Sequence, residues 1–219
     1  MRRERQREPV HEGTRLNPRQ QHWNGVYATK GERDVSWFEP SPEVSLAIID
    51  ATGLTRDTCV IDIGGGESHL VDALVERGVT CLAVLDVARE ALLRAQLRLG
   101  DNASEVAWIQ ADVTGAWSWK EVDIWHDRAV FHFLTERADR DRYKVRLAEM
   151  LKRGGSAIIA TFALDGPEKC SGLPVIRYSP ETLTSELGRE FVLVDSRHHL
   201  HTTPWGMTQA FQYSRFVRR

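Results

Sequence analysis

Apolar positions along this chain change their spacing several times, and the changes mark out alternating strands and helices. Val60-Ile61-Asp62-Ile63 is a short run rich in β-branched residues and reads as a buried strand. Gly64-Gly65-Gly66 ends it, and His69 to Gly78 reads as a helix closed by glycine. Thr80 to Leu85 forms a second run ending at Asp86. Ala88, Ala91, Leu92, Ala95 and Leu99 then share one helical face, with Gly100 as the stop. Val106 to Ile109, Val122 to Trp125 and Ser156 to Phe162 predict three further strands. Helical spacing returns over 140–152, with Tyr143, Leu147, Met150 and Leu151 on one face, and after Ser179-Pro180-Glu181 as far as Leu187. Ahead of the glycines, Ser41-Pro42-Glu43 opens a helix that buries Val44, Ala47, Ile48 and Ala51 and ends at Gly53. The end of the chain is different: Phe191 to Asp195 and Ala210 to Val217 have no helix between them and predict a hairpin through Thr203-Pro204-Trp205-Gly206. Alternating units followed by a hairpin predict an α/β fold. It is a single doubly wound domain whose seven-stranded sheet is mostly parallel, with an antiparallel hairpin at its C-terminal end.

The flanks add detail. Residues 1–21 interleave arginines with Glu4, Glu8 and Glu12 and hold few apolar groups, so a mobile tail is expected there and one domain over 22–219. Trp23, Tyr27, Trp37 and Phe38 follow around Gly25 and Gly31, as an aromatic cover or ligand contact. A length of 219 residues suits one core, and a formal charge of −2 gives no overall case for nucleic acid or an anionic membrane. No apolar run is long enough to span a bilayer, and the N-terminus holds no apolar signal core. Cys59 and Cys81 begin strand-like runs and read as small core residues, with a reducing cytoplasm expected. His198, His199 and His201 resemble a metal cluster, but a strand puts only the last two on one face, with no acid or cysteine spacing beside them; no metal is expected. A monomer or weak dimer is expected.

Candidate chemistry starts from three acids, Asp62, Asp86 and Asp112, each ending a parallel strand at the edge where doubly wound sheets bind ligands. An acid after the second strand suits two ribose hydroxyls, and one after the third suits an adenine amino group. A dinucleotide site needs a glycine where His69 stands, and Glu67 at the helix start opposes a phosphate. A phosphate-free adenosine ligand carrying cationic groups fits better. Asp62-Ile63-Gly64-Gly65-Gly66-Glu67-Ser68 resembles the D-x-G-x-G-x-G motif of class I, Rossmann-like S-adenosylmethionine-dependent methyltransferases, with Ser68 for the last glycine. Leu85-Asp86 and Ala111-Asp112-Val113 resemble that family's second and third motifs. The resemblance runs from about Trp23 to the C-terminus. It implies S-adenosylmethionine as cofactor and S-adenosylhomocysteine as product. Asp62, Gly64, Gly65, Gly66, Ser68, Asp86, Val87, Asp112, Val113, His126 and Trp37 would then hold the cofactor.

For the acceptor, His126-Asp127-Arg128 ends the fourth strand and places Asp127 and His126 as candidate base or orienter. An internal Arg128 ion pair is the plain alternative. Arg128, His132, Tyr178 and His201 are candidate acceptor contacts. The long loop 163–178 is a candidate lid, and its Cys170 is read as a packed bystander. His126-Asp127-Arg128-Ala129 does not match the motif of adenine N6 methylases, so nucleic-acid acceptors are set aside. The Trp23…Tyr27…Trp37-Phe38 aromatics are similar to those of lysine methyltransferases acting on elongation factor 1A or citrate synthase. A protein lysine and a small molecule therefore both stand as acceptors. A non-catalytic S-adenosylmethionine-binding protein and a nicotinamide oxidoreductase are the competing functions.

Overall fold

The computed structural model describes residues 17–219, and its first element lies where a tail was expected. Helix α1 spans Pro18–Thr29. Asn17 caps it by accepting from the Gln20 amide while the Gln20 side chain accepts from the Asn17 amide, and Pro18 supplies the first-turn φ. The tail reading is thus corrected for 18–21, and the rest of it, 1–16, lies outside the described residues.

After α2 (Glu43–Asp50), the alternation follows the expected order: β1 (Cys59–Ile63), α3 (Leu70–Glu76), β2 (Cys81–Asp86), α4 (Arg89–Leu99), β3 (Val106–Gln110) and β4 (Val122–Arg128). Then come α5 (Arg137–Met150), β5 (Leu151–Phe162), a short hairpin of β6 (Lys169–Cys170) and β7 (Leu173–Pro174), and α6 (Pro180–Leu187). The chain closes with β8 (Phe191–Thr202) and β9 (Thr208–Arg218). The main sheet has seven strands in the order β3-β2-β1-β4-β5-β9-β8. Within this sheet, only the pairings of β9 with β5 and with β8 are antiparallel. The expected α/β fold is therefore present. The terminal strands run further than their apolar cores, so His198, His199 and His201 lie within β8, with His201 buried and His198 exposed. No His/Cys/Asp/Glu group among the described residues is arranged to hold a metal.

Strand alternation sends β1 side chains to two cores. Cys59, Ile61 and Ile63 join Tyr143 and Leu147 of α5 and Leu183 of α6, whereas Val60 joins Ile48 and Ile49 of α2 and Leu70 and Leu74 of α3. Asp62, two residues on from Val60, consequently points to the α2 side. The expectation of free thiols at Cys59 and Cys81 does not hold: the two are in-register neighbours across β1 and β2, with Cα atoms 4.6 Å apart, and form a disulfide. Cys170 remains free and buried. No described helix is long and apolar enough to cross a membrane.

Candidate functional site

Strand order reverses between β1 and β4, and that reversal opens a crevice beyond the carboxyl ends of the strands. The glycine turn leaves β1 into it. Gly64 has φ +66°, and a Cβ there would lie 2.1 Å from Val130 Cγ2, so only glycine lets the segment after β4 come this close. A Cβ on Gly65 would meet Asp62 Oδ2 at 2.5 Å, and one on Gly66 would meet Asp86 Oδ2 at 2.9 Å. The turn therefore lies directly over two carboxylates. Two α4 arginines hold its far end: Arg94 pairs with Glu67 at 3.2 Å and bonds the Tyr27 carbonyl, and Arg98 donates to the Glu67 and Ser68 carbonyls and pairs with Asp72.

Two cavities meet at Gly64. The first follows the ends of β1, β2 and β3, past Asp86, Val87, Asp112 and Val113. Its far wall is Trp23, Trp37, Arg128, Phe133 and Cys170. The second lies under the turn and is lined by Asp62, Gly65, Glu67, Ser68 and His126. Trp37, Tyr27 and Arg128 line both.

Electrostatics differ along this path. Burial pushes the Asp86 carboxyl up to about 7, against the Ala88 amide that donates to its Oδ1 at 2.7 Å. Burial acts the same way on Asp112, but Thr114 and then Arg19 outweigh it and hold Asp112 below the usual carboxylate range. Arg19 reaches from α1 to Asp112 at 3.1 Å and also pairs with Asp139 of α5, so the helix is pinned across the end of β3. Asp62 is 4% exposed; its Oδ1 meets His126 Nδ1 at 2.7 Å, while Oδ2 has no hydrogen-bond partner among the described residues.

The acceptor-side expectations divide. Arg128 reaches both cavities but is held on several sides. It donates to the Tyr213 hydroxyl and the Trp37 carbonyl, faces Glu39 at 2.9 Å, and stacks 4.8 Å from the Phe211 ring centroid. Asp127, His132, Tyr178 and His201 line neither cavity. Asp127 accepts from the Val130 and Phe131 amides and from the Tyr143 hydroxyl at 2.6 Å, and burial still raises it to about 6. It fastens the turn after β4, where Ala129 takes a φ of +69°. Burial, then Arg128, lowers His132 to about 3, and its Nδ1 accepts from the Phe162 amide. Tyr178 is raised to about 12 by burial, and His201 meets the Ser36 carbonyl at 2.7 Å. Residues the sequence reading passed over complete the site: Arg19 within the supposed tail, Phe133 and Leu134 in the turn after β4, and Ser45 of α2, whose hydroxyl lies 2.9 Å from His126 Nε2. Arg19 carried a signal, because the Asn17-Pro18-x-Gln20 capping pattern marks a helix start. Ser45 carried none.

No curated protein matches the sequence. Among solved structures, the chain is similar to the N-methyltransferase NodS from Bradyrhizobium japonicum WM9 in complex with S-adenosyl-L-homocysteine. Identity is 15%, coverage 91% of this chain and 98% of that one, and the TM-score 0.68. It is similar to 1,6-didemethyltoxoflavin-N1-methyltransferase from Burkholderia thailandensis at 18% identity, covering 90% of this chain and 83% of that one, with a TM-score of 0.64. A SAM-dependent methyltransferase from Anabaena variabilis gives 14% identity, coverage of 91% and 93%, and a TM-score of 0.70. These likenesses establish the fold. A family model described as a methyltransferase domain matches residues 60–155, from the glycine-turn strand to the start of β5.

Proposed function

We propose that the chain moves the methyl group of S-adenosylmethionine to a small acceptor whose lone pair is already free at neutral pH. The observation that carries this reading is the path across the crevice, from the unsatisfied Asp62 oxygen, past a glycine turn with no room for side chains, to Asp86 and Asp112. The residues present fit that cofactor. Asp62 suits an α-ammonium, Asp86 the paired ribose hydroxyls, and Asp112 an adenine amino group between Val87 and Val113. Glu67, in the second cavity, disfavours a phosphate ligand and so disfavours a nicotinamide dinucleotide.

When bound, S-adenosylmethionine supplies a methyl group on a sulfonium sulfur, open to in-line displacement. The chain's part is to position the acceptor and exclude water. Trp23, Trp37 and Phe133 wall the first cavity with rings whose faces tolerate a positive charge. Proton removal has no evident agent there. Besides Asp86 and Asp112, its described titratable lining is Arg19, Arg128, Tyr27, raised well above its ordinary value by burial, and Cys170, raised to about 11 by burial. A lysine ammonium, with an ordinary pKa near ~10.4, would need a base. A weakly basic or heteroaromatic nitrogen would not. The two nitrogen methyltransferases of the same fold support that preference. Asp127 and His126 are accordingly read as holding the site in shape rather than as bases.

The test is to incubate the purified protein with tritiated S-adenosylmethionine and cell extract, then separate protein from small molecules. Label is expected in the small-molecule fraction. Label confined to protein would establish the lysine-type alternative, and none in either fraction, despite tight cofactor binding, would leave a non-catalytic binding protein.

A further inference from the structure

Beneath the glycine turn, a file of buried polar side chains from α2 and β4 ends on Asp62 of β1, with Tyr213 of β9 beside it. Arg128 Nε donates to the Tyr213 hydroxyl at 3.0 Å. The Ser45 side chain lies close enough to Tyr213 to act on its hydroxyl. Ser45 Oγ lies 2.9 Å from His126 Nε2, and His126 Nδ1 lies 2.7 Å from Asp62 Oδ1. Exposure along the file is 0% for Tyr213, 1% for Ser45, 2% for His126 and 4% for Asp62, so water does not substitute for these partners.

Proton counting fixes the last link of the file. A carboxylate oxygen accepts, so the hydrogen between Asp62 Oδ1 and the imidazole is supplied by His126 Nδ1. The imidazole Nδ1–H donates to Asp62 Oδ1, and Nε2 is bonded to the Ser45 hydroxyl, which can accept from it or donate to it. Hydrogen bonds linked in this way polarise one another. The consequence falls on Asp62: one oxygen is held by the imidazole, and the carboxylate cannot rotate without breaking a buried bond. Its other oxygen is the one left without a partner, and it lies under Gly65, where any Cβ would stand 2.5 Å from it.

We infer that His126 is a positioning residue, held by Ser45, that fixes Asp62 so its free oxygen receives the α-ammonium of the cofactor's amino-acid end. This inference rests on the S-adenosylmethionine reading above. It assigns to His126 an effect on one end of the ligand only. The adenosine end, on Asp86 and Asp112, lies in the other cavity and should not sense the file.

The experiment compares calorimetric affinities for S-adenosylhomocysteine, which carries the ammonium, and 5′-methylthioadenosine, which has the same adenosine and thioether but no amino-acid end. Two variants similar in size and polarity to histidine separate positioning from bulk. The Asn amide in His126→Asn occupies the Nδ1 position and keeps a donor to Asp62, whereas that in His126→Gln occupies the Nε2 position and loses it. His126→Gln is expected to weaken S-adenosylhomocysteine roughly ten- to a hundredfold, the range of a charge-assisted hydrogen bond. It should leave methylthioadenosine within about twofold, and His126→Asn should retain most of the S-adenosylhomocysteine affinity. Equal losses for both ligands, equal behaviour of the two variants, or no loss in His126→Gln would overturn the inference while leaving the cofactor reading intact. Failure of the unaltered protein to bind either ligand would overturn the cofactor reading itself.

Discussion

Replacing Asp86 with Asn removes a buried carboxylate that the fold tolerates poorly when ionised. Raising this group from its ordinary 3.8 to about 7 corresponds to about 4 kcal/mol, at roughly 1.4 kcal/mol per pH unit. The unfolded chain ionises Asp86 near its ordinary value and the native protein only near 7. The stability linked to this proton is therefore complete below the lower value and is lost as pH rises towards the upper one. An asparagine has no such slope. Its Oδ1 still accepts from the Ala88 amide, but its Nδ2 needs an acceptor the site does not provide, which costs ~1–3 kcal/mol. Set against a ceiling of about 4 kcal/mol, this leaves the ligand-free Asp86→Asn variant about 1–3 kcal/mol more stable than the unaltered protein above neutral pH. The advantage should reverse as pH falls to about 4, leaving the variant about 1–3 kcal/mol less stable. Urea denaturation across this range, without cofactor, measures the difference. Parallel curves for the two proteins would refute the reasoning, because they would mean that Asp86 ionises alike folded and unfolded. The same variant should bind S-adenosylhomocysteine less well, a gain in stability against a loss of binding that is common at functional sites.

Other expectations are simpler. Gly64→Ala meets both a φ of +66° and Val130 Cγ2 at 2.1 Å, so a loss of at least ~2 kcal/mol by urea denaturation is expected, and an unchanged midpoint would mean that the turn relaxes freely. Asp127→Asn loses the acceptor for the Tyr143 hydroxyl and should lower stability by about 1–3 kcal/mol with S-adenosylhomocysteine affinity little changed; a large change in affinity at constant stability would move Asp127 into the cofactor site. Thiol titration of the unreduced, denatured protein should find Cys170 alone reactive, and three reactive thiols would show that Cys59 and Cys81 are not joined. Reduction should lower stability by roughly 3 kcal/mol for a loop of this length.

The sheet was legible because its evidence is local. A buried parallel strand reads as an apolar, β-branched run, and the first three runs end in or just before an acid at a known edge, so the order of Asp62, Asp86 and Asp112 in space is legible from the sequence. Helix α1 was missed for a different reason: its start follows an arginine-rich stretch, and its capping signal occupies only Asn17, Pro18 and Gln20. The acceptor side was least legible. Asp127 and His126 stand at a strand end, as a base should, but the pleat turns them to opposite faces. Asp127 turns to Tyr143 of α5 and His126 to Ser45 of α2. Tyr178 and His132 are buried for packing, and the cavity wall comes instead from Trp23, Trp37 and Phe133, whose meeting joins α1, the segment before α2 and the turn after β4. Nothing local to any one of them announces that meeting. The disulfide is similar, since it depends on the register of β1 against β2 rather than on a spacing motif.

The most direct test of the account is equilibrium binding of S-adenosylhomocysteine and of NAD to the unaltered protein and to Asp86→Ala. The account requires saturable, one-to-one binding of S-adenosylhomocysteine, weakened roughly ten- to a hundredfold by loss of the ribose carboxylate, and no measurable binding of NAD. Binding of NAD without S-adenosylhomocysteine, or S-adenosylhomocysteine affinity indifferent to Asp86, would contradict it.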